Sequence, residues 1–253
     1  MLGNLIMVQI LLDQLSDIEL MIIRGGSGLA FRYGIVESRQ TRDLDIALTN
    51  TGDAVSIILK LTGSSWAGFE VSSVKFHPSY APAGTPSQYV VQEFDIRLSY
   101  LGASWLTVNL DIVQLAQFGS SDYRIMDVSE ELNSIMSYLG LPKINQIPLL
   151  DLEAQVAEKL LAFLTTPNRR GRDLYDIWLI TKFHLLDLPS ITQHFIQVKR
   201  VHQIDIKIEK ITQSPELVNS YLADTADVAA PSIDEPILFC NQVIELIIRL
   251  LDQ

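Results

Sequence analysis

Three runs of strict two-residue alternation constrain this chain more than any other feature. In Asp43–Leu48, Leu44, Ile46 and Leu48 take one side while Asp43 and Asp45 take the other. In residues 93–100, Phe94, Ile96, Leu98 and Tyr100 alternate with Glu93, Asp95 and Arg97. In residues 106–112, Leu106, Val108, Leu110 and Ile112 alternate with Thr107, Asn109 and Asp111. Such alternation is the pattern of strands with one face in a core and one polar face. Gly102-Ala103-Ser104 suits a hairpin linker between the last two. All three runs precede residue 125, and from about residue 129 the periodicity becomes helical. The expectation is an α+β chain: a mixed-sheet domain over 1–125, then a helical domain over 126–253.

The remaining elements follow from the same reading. Residues 5–18 predict an amphipathic helix, and 20–24 a short strand running into the Gly25-Gly26 turn. A helix over 27–35 follows, with Ser27 available as its N-cap. Helices are predicted at 53–61, 151–164 and 172–183, with a Pro167 to Gly171 loop before the last, and further helices within 190–222. The acidic, proline-bearing stretch 223–236 reads as a loop. A final helix over 237–251 sets Asn241, Glu245 and Arg249 on one polar face.

Composition narrows the function. The chain has 253 residues, 48% apolar and 19% charged, with a formal charge of −11, so it is globular and able to bury a core. That acidity argues against a broad grip on nucleic-acid phosphates and leaves room only for local contact. Cys240 is the sole cysteine, which excludes an internal disulfide framework and a thiolate zinc cluster. His77, His184, His194 and His202 are scattered and read as ordinary surface or core residues. The N-terminus lacks a basic leader, and no apolar run is long enough for a bilayer, so no membrane partner and a cytoplasmic location are expected.

The chemistry lies in the placement of acids. Residues two apart on a strand share a face, so Asp43 and Asp45 project side by side, and Asp111 on a neighbouring strand can join them. Three oxygen donors of this kind suit Mg²⁺ or Mn²⁺ in an in-line displacement at phosphorus, where charge builds on the attacking and leaving oxygens. Gly25-Gly26-Ser27, a turn running into a helix N-terminus, can offer backbone N–H groups to a triphosphate. Taken singly, each piece also suits a solvent face or an ordinary turn. Arg169, Arg170 and Arg172 form the tight basic cluster of the chain, either a plain loop or a phosphate contact.

The stretch Arg24-Gly25-Gly26-Ser27-Gly28-Leu29-Ala30, the run Arg39-x-Thr41-x-Asp43-Leu44-Asp45-Ile46 and Asn109-Leu110-Asp111-Ile112-Val113 resemble the nucleotidyltransferases of the AbiEii/AbiGii toxin group. So do Glu158-Lys159-Leu160-Leu161-Ala162 and Arg172-Asp173-Leu174-Tyr175-Asp176-Ile177-Trp178, and the resemblance spans about residues 20 to 185. It implies a bilobal polymerase-beta-like nucleotidyltransferase fold with its site in the cleft between lobes. Carried over position by position, Gly25, Gly26 and Ser27 hold triphosphate, and Asp43, Asp45 and Asp111 hold metal. Lys159 contacts a phosphate and Asp173 organises the cleft; Tyr175 and Asp176 match too, Tyr175 being equally suited to the core. Family members are toxins paired with antitoxins, and some add nucleotides to the 3′ end of tRNA.

The leading expectation is therefore a Mg²⁺-dependent transferase moving a nucleotide from an NTP to an RNA acceptor, as the toxin of a toxin–antitoxin or phage-defence pair. Two others stand beside it. One keeps the fold but uses a protein side chain or a small, aminoglycoside-like molecule as acceptor, which the acidity suits. The other is a non-catalytic nucleotide-binding domain, against which the intact Asp43, Asp45 and Asp111 set argues. For Glu158, Lys159, Arg172 and Asp173 the plain alternative is surface ion pairing, worth about 0–1 kcal/mol each.

Overall fold

The three alternating runs form the centre of a mixed sheet. The computed structural model describes residues 1–15, 21–48, 54–78, 90–114, 123–144, 146–201 and 204–251. In chain order the sheet unit contains α1 (Leu2–Gln14), β1 (Met21–Ile23), α2 (Gly25–Tyr33), β2 (Asp43–Leu48), α3 (Ala54–Leu59), β3 (Ser65–Trp66) and β4 (Phe69–His77). It continues with β5 (Gln92–Tyr100), β6 (Ala103–Gln114), β7 (Tyr123–Asp127), α4 (Glu130–Tyr138) and β8 (Gln146–Leu150). Across the sheet the order is β3-β4-β5-β6-β2-β1-β8-β7. The β2–β6 and β1–β8 pairs are parallel, and the others antiparallel. This is the α+β architecture expected.

The apolar sides of the alternating runs make the core. Leu44, Ile46, Leu110, Ile112, Phe94 and Ile96 are each at most 1% exposed. Burial of each such side chain stabilises the fold by about 1.5–3 kcal/mol. Against this core lies α1, and here the expectation changes. The helix begins at Leu2 and ends at Gln14, and it is buried on nearly all sides, from Gly3 to Val8 and again at Ile10 and Leu11. A helix apolar all round belongs inside, so α1 is a core helix rather than an amphipathic one. Residues 16–20 and 53, which the expected elements included, lie outside the described residues.

Two local assignments also shift. α2 starts at Gly25 with Arg24 at its cap position, so Ser27 lies inside the first turn rather than capping it. The β5–β6 turn sits on Leu101 (φ 48°) and Gly102 (φ 81°), both left-handed, as a two-residue hairpin turn requires. Ala103 and Ser104, expected in the linker, pair with Tyr100 and Ser99.

Strands β3, β4, β7 and β8 were not anticipated. In β4 a register shift between Val71 and Ser73 breaks the alternation, so Phe69 and Val71 fall out of phase with Val74 and Phe76. In β8 Pro148 argues against a strand, yet Ile147 to Leu150 are buried beside β1 and β7. By its contacts the sheet unit comprises Met1–Ile35 and Gln40–Leu150, with β8 as its last strand.

The second unit comprises Val36–Arg39 and Asp151–Gln253. It contains α5 (Leu152–Thr165), a 3₁₀ turn (Pro167–Arg169), α6 (Gly171–Phe183), α7 (Leu188–Val201), α8 (Pro215–Asp224) and α9 (Asp234–Leu251). The α9 helix begins inside the stretch expected to be a loop, because Pro236 falls in its first turn, where a missing N–H is harmless. Gly171 is needed where α6 meets α8: a methyl group there would lie 2.3 Å from the Tyr221 backbone nitrogen. Asn241 and Glu245, expected on an open polar face, bind the segment before α8. Asn241 accepts from the Ile211 N–H (2.7 Å) and donates to the Ile211 carbonyl (3.0 Å), and Glu245 pairs with Lys210 (2.6 Å).

Candidate active site

Strand register assembles the acids. Asp45 on β2 is the partner of Asp111 on β6, Asp111 of Glu93 on β5, and Glu93 of His77 on β4. A second row runs alongside: Asp43, Asn109, Asp95 and Lys75. Paired residues in adjacent strands share a face, so the polar sides of four strands form one surface. The sequence-derived trio Asp43, Asp45 and Asp111 thus lies together, with Glu93 added. Asn109 donates to Asp43 Oδ1 at 3.3 Å.

The glycine turn abuts this surface. Gly25 has φ +64°, and a methyl group on it would lie 2.1 Å from Asp45 Oδ2. Only glycine permits both the left-handed backbone and that approach. Gly26 is buried as the second residue of α2. The Arg24 N–H donates to the Asp45 carbonyl at 3.0 Å, tying the turn to β2. Ser27 is fully buried, and its hydroxyl donates to the Asp43 carbonyl at 2.7 Å. Asn4 of α1 donates to both the Ser27 hydroxyl (3.0 Å) and the Asp43 carbonyl (3.3 Å), and Thr41 adds a further donor to that carbonyl at 3.3 Å. The Ser27 hydroxyl therefore fixes the start of β2, leaving its backbone N–H as the group nearest to a phosphate role. Nothing in the sequence pointed to Asn4, because it sits in an apolar run.

The acids repel one another at Asp111. Burial, together with the carboxylates of Asp45, Asp43 and Glu93, pushes Asp111 up to about 6. A cavity of about 360 Å³ opens on the same face, lined by Asp43, Asp95, Asp111, Glu93, Asn109 and His77. Among the described residues no three His, Cys, Asp or Glu side chains close into a preformed metal cage. An open set of carboxylates still suits Mg²⁺, which keeps waters and shares substrate phosphates rather than occupying an all-protein cage.

The helical unit treats its charges differently. Lys159 of α5 is 8% exposed and bonds Asp176 of α6 at 2.6 Å, with Asp173 at 3.6 Å. Arg39 bonds Asp176 through both carboxylate oxygens, at 2.9 and 2.7 Å, and Arg170 bonds Asp173 at 2.5 Å. Burial opposes ionisation of Asp176, but Lys159 and Arg39 prevail and hold it below the ordinary carboxylate range. The surface-pair alternative for Lys159 and Asp173 is excluded by this burial. Tyr175 donates to the Glu37 carbonyl at 2.6 Å, so the short segment carrying Arg39 is held at two points. Sequence reading noted Arg39 and Asp176 as motif positions but gave neither a role. Their pairing spans 137 residues and left no local signal. In the basic cluster Arg170 is committed to Asp173, while the Arg172 backbone N–H is held by Asp224.

Residues 7–232 match the family model described as nucleotidyl transferase AbiEii toxin, type IV TA system. No curated protein matches the chain at a significant level. Among solved structures the fold is similar to MenT4, a nucleotidyltransferase toxin from Mycobacterium tuberculosis H37Rv, at a TM-score of 0.53 and 13% identity, covering 97% of this chain and 92% of that one. At that identity the likeness is one of fold.

Proposed function

The chain belongs to the AbiEii nucleotidyltransferase toxin family of type IV toxin–antitoxin systems, and from that premise we propose that it transfers a nucleotide from an NTP to an RNA acceptor, a tRNA 3′ end being the leading candidate, in a Mg²⁺-dependent reaction. The observation that carries this reading is the Asp45–Asp111 pairing, with Asp43 beside it and the Gly25 turn against it. Asp43, Asp45 and Asp111 would hold the metal, with Mn²⁺ able to replace Mg²⁺. The metal supplies neutralisation of charge on the attacking and leaving oxygens.

The residues of the chain do the rest. Backbone N–H groups of Gly25, Gly26 and Ser27 face phosphate oxygens at the α2 N-terminus, where the helix dipole favours negative charge. Asn4 and Ser27 hold the Asp43 backbone still. In the helical unit Lys159 is held by Asp176 and Asp173, and the phosphate contact that the resemblance implies for it is part of this proposal. Its partner in the cell would be the antitoxin of the pair.

The test is incubation of the protein with each labelled NTP and Mg²⁺, first with total cellular RNA and then with RNA-free protein extract. Label in RNA supports the reading. Label only in protein, or only in small hydroxylated molecules, moves the acceptor class. Label in neither, with NTP still bound, returns the chain to a nucleotide-binding role.

A further inference from the structure

The polar face continues past the proposed metal site, away from the glycine turn. Because β6 lies between β2 and β5, the row Asp45–Asp111–Glu93–His77 crosses from the triphosphate side of the sheet to β4. His77 is not loose there: its Nε2 lies 2.7 Å from Asp95 Oδ2. That bond uses the carboxylate that Lys75, directly opposite on β4, would otherwise take. Lys75 and Arg97 are exposed and make no ion pair with a described residue. Lys75 lies two residues from His77, and Arg97 two from Asp95, each step about 7 Å along its strand. The face is thus graded: acids at the reacting end with the cavity above them, then a histidine held by an acid, then two exposed cations.

We propose that this β4–β5 face is where the acceptor docks, with His77 oriented by Asp95 to position its terminal ribose hydroxyls and with Lys75 and Arg97 meeting the phosphates behind them. The assignment rests on the transferase reading above and narrows the acceptor to a polyanionic strand. A cationic small molecule has no use for Lys75 and Arg97, whereas an RNA end presents neutral hydroxyls to the acids and phosphates to the cations. The arrangement also reconciles a chain of net charge −11 with an RNA acceptor, because only a local contact of two cations is needed. His77 acts here as a positioning residue, and the chemistry of transfer stays with the groups already named.

The experiment uses the full chain, labelled NTP, Mg²⁺ and total tRNA as the probe acceptor. His77→Ala is expected to raise the tRNA concentration for half-maximal rate about tenfold, while binding of a non-hydrolysable NTP is unchanged. His77→Gln, which keeps a donor, should recover much of the loss. The Lys75→Ala, Arg97→Ala double variant should weaken tRNA use and flatten its dependence on salt, since fewer counterions are released. Wild-type half-saturation in both His77→Ala and the double variant overturns the docking face while leaving the transferase reading intact. A wild-type protein that labels no RNA overturns that reading, and the docking face falls with it.

Discussion

Both units gather carboxylates, and they answer the resulting repulsion in opposite ways. On the sheet face Asp43, Asp45, Asp111 and Glu93 stand together, and Asp111 is driven up to about 6. In the helical unit Asp176 is more deeply buried than any of these, yet Lys159 and Arg39 hold it below the ordinary range. The difference is the source of counter-charge. The helical cluster carries its own cations. In the sheet cluster like charges still raise Asp111, so a cation from solution is favoured there. Depth of burial alone therefore does not set the direction of an acid's shift; the charges around it do.

The comparison breaks most visibly where the helical cluster loses the acid its cations share. Asp176→Ala strands Lys159 and Arg39 without their shared partner. Removing one member of a buried ion pair costs about 3–5 kcal/mol, and that loss is expected in chemical denaturation. A change below about 1 kcal/mol would show that the network is solvated and the contrast with the sheet face unsound. Lys159→Ala should destabilise as well. Activity lost in that variant therefore speaks to phosphate binding only at temperatures where it remains folded.

The sheet face should behave in the converse manner. Asp45→Asn removes charge from a crowded site while keeping size and shape, so the fold should survive. Transfer should fall by at least about a hundredfold, or about 2.7 kcal/mol of transition-state stabilisation. Single-turnover rates at saturating NTP measure it; a folded Asp45→Asn variant with wild-type rates would remove Asp45 from the metal site. A smaller effect is expected one layer out. Asn4→Ala deletes donors to Ser27 and to the Asp43 carbonyl, leaving the metal-facing strand less fixed. About tenfold more Mg²⁺ should be needed for half-maximal transfer, about 1.4 kcal/mol, with Ser27→Ala doing the same. An unchanged Mg²⁺ requirement in both would mean that the buried network stabilises the fold without tuning the site.

What was legible in the sequence tracks how local each signal is. Alternation in β2, β5 and β6 is contained within single strands, so these strands and the facing of Asp43, Asp45 and Asp111 could be read directly. The β4 strand was hidden because its register shift changes the phase of its apolar residues midway. The placement of His77 was hidden with it: only the register sets this histidine across from Glu93 and beside Asp95. Arg39 and Asp176, 137 residues apart, meet through tertiary folding alone. The hydroxyl of Ser27 was read as a cap or phosphate ligand because a turn before a helix suits both. That it instead anchors Asp43 depends on Asn4, which an apolar helix conceals.

The least of the expected effects tests the contrast at its source. Asp111 has an ordinary value of 3.8 and stands at about 6 in the folded chain, raised by burial and by Asp45, Asp43 and Glu93. The folded state therefore binds this proton more tightly than the unfolded state does. The protonated form adds nothing against folding below about pH 4, and ionisation subtracts stability progressively as pH rises through about 6. A shift of this size corresponds to about 3 kcal/mol at most, but Asp111 is only half-buried and solvent screens its neighbours, so about 1 kcal/mol is expected. Asp111→Asn should then melt about 2–4 °C above wild type at about pH 8 without divalent metal, and the gap should close toward pH 4. Millimolar Mg²⁺ should raise the wild type and leave Asp111→Asn nearly unmoved, because the ion provides the counter-charge that the variant no longer needs. Calorimetry across this range decides the matter. Equal melting temperatures at pH 8, or a gap that persists unchanged at pH 4, would show that Asp111 carries no repulsion from its neighbours.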